Sequence, residues 1–203
     1  MTRSLSLSND NGLMSRIRSA LRTPETAQTM RRFFTNTIFD STFVVLGVVI
    51  GSAFSPEPRL SVVLATILTS SFALGISTGV SVYEAESMEQ TRRIERMEKA
   101  LLRSLEDTEI VEMSKMSLLL ISFTNFMAPI TVCAIALTPF LLLGETQVRT
   151  AAWVSVGVAI GILFTAGALL GRMGGRNPLV KGARMVFAGV IAFAICYWIG
   201  SLV

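Results

Sequence analysis

The chain has 203 residues, 51% of them hydrophobic, and a mean hydropathy of +0.60, values that exclude an ordinary soluble domain. Its formal net charge is +4 and it has no histidine, so the commonest transition-metal ligand and the commonest general base are both missing. It has no nucleotide-binding loop, nucleophile constellation or H-E-x-x-H motif, so the sequence supports no enzyme.

Residues 1–32 read as an N-terminal arm. Leu13, Ile17, Ala20 and Leu21 share one face and predict a short interfacial helix. Thr23-Pro24-Glu25 then has the form of an N-cap followed by proline at the first helical position, so a new helix is expected to start there. Residues 33–203 form one membrane domain with apolar segments at about 33–54, 60–83, 116–143, 150–171 and 183–203. Each is long enough to cross ~30 Å of hydrocarbon as a helix. The period-two alternation of a membrane barrel is absent. The predicted fold is all-α: a polytopic membrane protein of five transmembrane helices, with helix 2 extended beyond the bilayer.

Span 1, "TNTIFDSTFVVLGVVIGSAF", carries one charge. Asp40 lies about 12 Å above the start of the span, and an ionisable group at that depth points to function. Asn36 precedes it by one turn, and Gly47 and Gly51 follow on the same face. That face is expected to look into the bundle. Span 2 presents Ser70, Ser77 and Ser81, then Glu84 and Met88 as the helix leaves the membrane, with Thr78 beside this stripe.

Residues 84–115 follow span 2 without glycine or proline, so the helix is expected to run on. Ile94, Met97, Leu101 and Leu105 form an apolar stripe that must cover a partner helix or the bilayer surface. Glu95-x-x-Glu98 is repeated as Glu106-x-x-Glu109, with Glu112-Met113 following. Carboxylates at i, i+3 share a helix face, and two such faces can chelate a divalent cation, to which methionine adds a soft ligand. Arg92, Arg93, Arg96, Lys99 and Arg103 interleave with these acids, so a self-paired, solvated helix is the other reading.

Span 3 holds Ser122, Asn125 and Pro129. Proline frees the carbonyl four residues before it, here that of Asn125, and makes Pro129 a candidate hinge. Asp40, Asn125 and Thr78 can make an oxygen-rich cation site; alternatively, protonated Asp40 bonds Asn125 as structural glue. Four glycine pairs at i, i+4 permit close helix approach: Gly47/Gly51, Gly75/Gly79, Gly157/Gly161 and Gly167/Gly171. Cys133 and Cys196 fall inside spans without CxxC spacing, so neither a disulfide framework nor a zinc site is expected.

Sixteen of the eighteen Lys and Arg residues lie in the arm, the 84–115 connection and the 172–184 connection; the exceptions are Arg59 and Arg149. The positive-inside rule makes that side cytoplasmic, with the N-terminus inside and the C-terminus outside. This bias accounts for the net charge without a nucleic-acid partner.

"IFDSTFVVLGVVIGS", "ALGISTGVSVYEAES", "SLEDTEIVEM" and the proline-bearing "FMAPI" together resemble the vacuolar iron transporter family, over about residues 30–200. The resemblance implies a homodimer that exports divalent iron or manganese in exchange for protons, with the pathway at the dimer interface. It also implies that Asp40 binds the metal and that Glu and Met residues on cytoplasmic helices gather it. The chain departs from the family pattern in having Thr78 for a methionine, approximately Ser70 for a glutamate, and Ser81-Val82 for a Gly-Glu pair. Most of the family's metal-gathering domain is also absent.

Two functions are therefore expected. The first is a Fe2+/Mn2+-like transporter in a prokaryotic plasma membrane, with divalent metal as substrate and no permanently bound cofactor. Its ligands would be Asp40, Asn125, Thr78, Glu84, Met88, Glu95, Glu98, Glu106, Glu109, Glu112 and Met113. The second is a non-transporting scaffold whose apolar stripe docks a partner.

Overall fold

The computed structural model of the protein describes residues 24–105 and 108–202. The predicted interfacial helix at residues 13–21 and the Glu106 carboxylate lie outside these, as does the side chain of Glu109. The described residues form α1 (Pro24–Ala53), α2 (Leu60–Leu101), α3 (Glu109–Leu143), a 3-10 turn (Glu145–Gln147), α4 (Val148–Met173) and α5 (Pro178–Leu202). Among them there is no strand, and all five α-helices are long and apolar enough to cross a membrane.

Local chemistry sets the ends of these helices. The described part of α1 runs from Pro24, and α1 stops before Pro56 and Pro58. α2 runs unbroken for 42 residues, about 63 Å and twice the hydrocarbon thickness. α3 continues through both Pro129 and Pro139. α4 closes in a turn where Arg176 N–H donates to the Gly171 carbonyl at 3.0 Å and Gly175 takes a φ of 63°. Asn177 Oδ1 then accepts the Leu179 N–H at 3.3 Å, with Pro178 opening α5.

The chain divides into two compact units. Among the described residues, one comprises 24–33 and 77–125; the other comprises 34–76 and 126–202. The second unit holds the main apolar core: Leu46 and Val49 of α1, Val63 and Ile67 of α2, Ala136 and Phe140 of α3, and Ala152 and Leu163 of α4. Phe54, Trp153, Phe193 and Tyr197 form an aromatic cluster with neighbouring centroids 5.0–6.0 Å apart. This cluster lies at the end of the spans with few basic residues, where interfacial aromatics belong.

Glycines set the closest helix contacts. A Cβ at Gly167 would lie 3.0 Å from Gly182 Cα, and one at Gly182 would lie 3.0 Å from the Phe164 carbonyl, so α4 and α5 pack backbone to backbone. A Cβ at Gly75 would meet the Phe126 carbonyl at 2.9 Å, fixing the approach of α2 to α3. By contrast, a Cβ at Gly157, Gly161 or Gly51 meets nothing within 4 Å. Gly75→Ala is therefore expected to destabilise the protein by about 1–3 kcal/mol. Gly157→Ala should be neutral or slightly stabilising. Thermal unfolding of both variants in detergent checks the contrast.

Candidate functional site

Asp40 lies on the outside of its own chain. Asn36, Asp40, Val44 and Gly51 are all exposed, whereas Phe39, Thr42, Leu46, Val49 and Ile50 on the other side of α1 are buried. This corrects the expectation that the polar face looks into the bundle. The larger apolar side chains of α1 fill the core, which leaves the small and polar stripe facing outward. An ionisable group in a span avoids lipid, but the surface that shields it need not belong to the same chain.

The structure does bring Thr78 and Asn125 together. The Thr78 hydroxyl donates to the Asn125 backbone carbonyl at 3.4 Å, the carbonyl that Pro129 frees. The Asn125 side chain is fully buried and donates Nδ2–H to the Ile121 carbonyl at 2.8 Å. In the same stretch of α3, Ser122 is buried and its hydroxyl has no hydrogen-bond partner.

The predicted acids on α2 and α3 divide by role. Glu84 and Met88 are exposed where α2 leaves its apolar run, and Glu95 and Glu112 are also exposed. Glu98 folds back over the end of α2, where its Oε1 accepts the Leu105 N–H at 2.8 Å and the Ser104 hydroxyl at 3.4 Å. Arg103 N–H donates to the Glu98 carbonyl, so α2 ends in the same kind of turn as α4. The left-handed position here is held by Leu102, at φ 50°, rather than by glycine. Among the described residues no three His, Cys, Asp or Glu side chains converge closely enough to hold a metal ion. The apolar stripe largely covers the chain itself: Leu105 is buried, Ile94 and Met97 are half-buried, and Leu101 stays exposed.

A cavity of about 640 Å³ lies within the first unit, bounded by residues 26–32 of α1, 86–97 of α2 and 110–121 of α3. Met113 is on its wall together with Arg32, Arg93, Arg96, Glu86 and Glu89. Nearby, the Thr26 hydroxyl donates to Ser117 Oγ at 3.3 Å, and Ser114 is hydrogen-bonded to the Gln90 side-chain oxygen. The sequence reading passed over the contribution of α1. The available signal was the run of polar residues Thr26, Gln28 and Thr29 at helical spacing before the apolar segment.

These features define a five-span helical membrane protein with an ionisable residue on an exposed intramembrane face. The sequence pattern of the VIT family matches residues 84–201, more than half of the chain, and the protein belongs to that family. Membership points to metal-ion transport. An uncharacterised protein of the archaeon Methanocaldococcus jannaschii is 29% identical over 172 residues, covering 83% of this chain and 87% of the relative. The family match begins at Glu84, so the case for Asp40 rests on its place in α1.

The turn at the end of α2 is open to test. Glu98→Ala strands the half-buried Leu105 N–H and should cost about 1–2 kcal/mol, with Glu98→Gln less affected because it keeps an acceptor oxygen. Leu102→Gly should stabilise by about 0.5–1 kcal/mol, because it relieves the left-handed penalty at a side chain that makes little contact. Melting temperatures of the three variants provide the check.

Proposed function

We propose that the protein is a homodimeric exporter of divalent transition metal, Fe2+ or Mn2+ in type, driven by protons entering the cell. The observation that carries this reading is the exposure of Asp40 at membrane depth. A carboxyl group facing lipid costs several kcal/mol, and the cost falls if a second copy presents the same face across a water-filled pathway. Gly51, three turns further along and with open space where a Cβ would sit, leaves room for close approach.

Two Asp40 carboxylates facing each other across a twofold axis have two charges to neutralise. One divalent cation does so, and so do two protons. Exchange between these two loads is electroneutral at the site and couples metal leaving to protons entering. The side bearing sixteen of the eighteen basic residues is the cytoplasm, and Glu84 and Met88 stand where α2 reaches it. On this reading Glu95, Glu112 and Met113 raise the local cation concentration, while Asn125 and Thr78 support the pathway wall.

In proteoliposomes, an inward proton gradient should drive Mn(II) movement, and Asp40→Asn should reduce it at least about tenfold; undiminished flux in that variant excludes the mechanism. With Cys133 and Cys196 replaced by alanine, Val44→Cys should cross-link two copies through a short bismaleimide. A monomer that resists cross-linking in the membrane would remove the dimer from the proposal.

A further inference from the structure

The cavity in the first unit has a charge balance unlike that of a cation site. Three guanidinium groups line it, from Arg32, Arg93 and Arg96, against two carboxylates, from Glu86 and Glu89. Gln28 and Gln90 add amide donors. The Arg32 guanidinium also lies 5.2 Å over the Phe33 ring, which gives its side chain a surface to rest on.

Its depth is informative. The apolar runs of α1 and α3 begin at residues 33 and 116, and that of α2 ends at 83. At ~1.5 Å per residue, most of the lining residues, Arg32, Glu86 and Glu89 among them, fall between the edge of the hydrocarbon and about 15 Å beyond it, with Arg96 about 20 Å beyond. That range includes the layer of lipid phosphates, which makes up most of the difference between a ~30 Å core and a ~40–45 Å bilayer. On the same wall Ile121, inside the edge of the hydrocarbon, suits the glycerol and upper acyl carbons.

We propose that this cavity binds the phosphate of a phospholipid headgroup from the basic side of the membrane. Guanidinium groups hold phosphate oxygens through paired N–H donors, and basic pockets between spans are suited to lipid headgroups. Glu86 and Glu89, one turn apart on α2, accept hydrogen bonds from the headgroup's own donors. This favours an ethanolamine or glycerol headgroup over choline, which has no N–H or O–H to offer. Binding would join α1, α2 and α3 of this unit at one point, independently of the transport reading.

The test uses the full chain in nanodiscs of phosphatidylcholine doped with phosphatidylethanolamine or phosphatidylglycerol, with bound lipid counted by native mass spectrometry after release. Retained ethanolamine or glycerol lipid is expected, falling about fivefold for each arginine removed in Arg32→Gln and Arg96→Gln. The paired change Arg172→Gln/Arg176→Gln removes as much charge at exposed positions outside the cavity and should leave retention unchanged. An equal loss there would overturn the proposal, because general surface charge would then explain the binding. The exposed single change Arg96→Gln carries the test alone if the Arg32 variant does not fold. A parallel melting series with inorganic phosphate separates the sources: protection by phosphate alone, lost in Arg96→Gln, would give the site to a soluble phosphate and overturn the lipid assignment. Retention indifferent to both cavity arginines, with no phosphate effect, would overturn the site itself.

Discussion

A carboxyl group cannot face hydrocarbon without a large free-energy cost, and the placement of Asp40 brings that constraint to the surface of the protein. α1 has two usable faces. One carries Phe39, Leu46, Val49 and Ile50 into the core; the other carries Asn36, Asp40, Val44 and Gly51 outward. Here one face is buried and the other exposed, and the larger apolar face buries more area when it packs inward. Asp40 is therefore left to whatever covers that surface, which on the proposed reading is a second copy and the pathway between them. The glycines support this division: Gly75, Gly167 and Gly182 are closed in by neighbouring helices, whereas Gly51, Gly157 and Gly161 meet open space.

Polar groups inside the spans serve the backbone before they serve any cargo. Pro129 removes the donor for the Asn125 carbonyl, and the Thr78 hydroxyl supplies one. Ser41, Thr42 and Thr124 each donate to the carbonyl four residues earlier in their own helix. Without water, this is the least costly way to bury a hydroxyl. The acidic extension follows a similar rule. Glu98, whose spacing suits a chelating pair with Glu95, instead holds the Leu105 N–H and so shapes the end of α2.

The basic end of the spans combines two chemistries. Exposed carboxylates at Glu84, Glu95 and Glu112 suit the collection of cations, while the Arg32, Arg93 and Arg96 wall suits a phosphate. Both can operate within one unit because Glu84, Glu95 and Glu112 lie off the recess that the three arginines line together with Glu86 and Glu89. An anionic or zwitterionic headgroup seated there would also offset positive charge close to the route by which metal would arrive.

The sequence alone determined the number of spans, the helical class, the unbroken run of α2 beyond its apolar segment and the family. All of these follow from hydropathy, the absence of helix breakers and motif order, which depend on near neighbours in the chain. It also identified the freed Asn125 carbonyl, because the effect of proline four residues on is local. Only the tertiary structure decided which way Asp40 faces, that Glu98 supports a turn, and that Arg32 joins Arg93 and Arg96 around one cavity. Each of these depends on which helix faces compete successfully for burial. Periodicity reveals that a helix has a polar side, but not whether the chain or a neighbouring molecule will cover it.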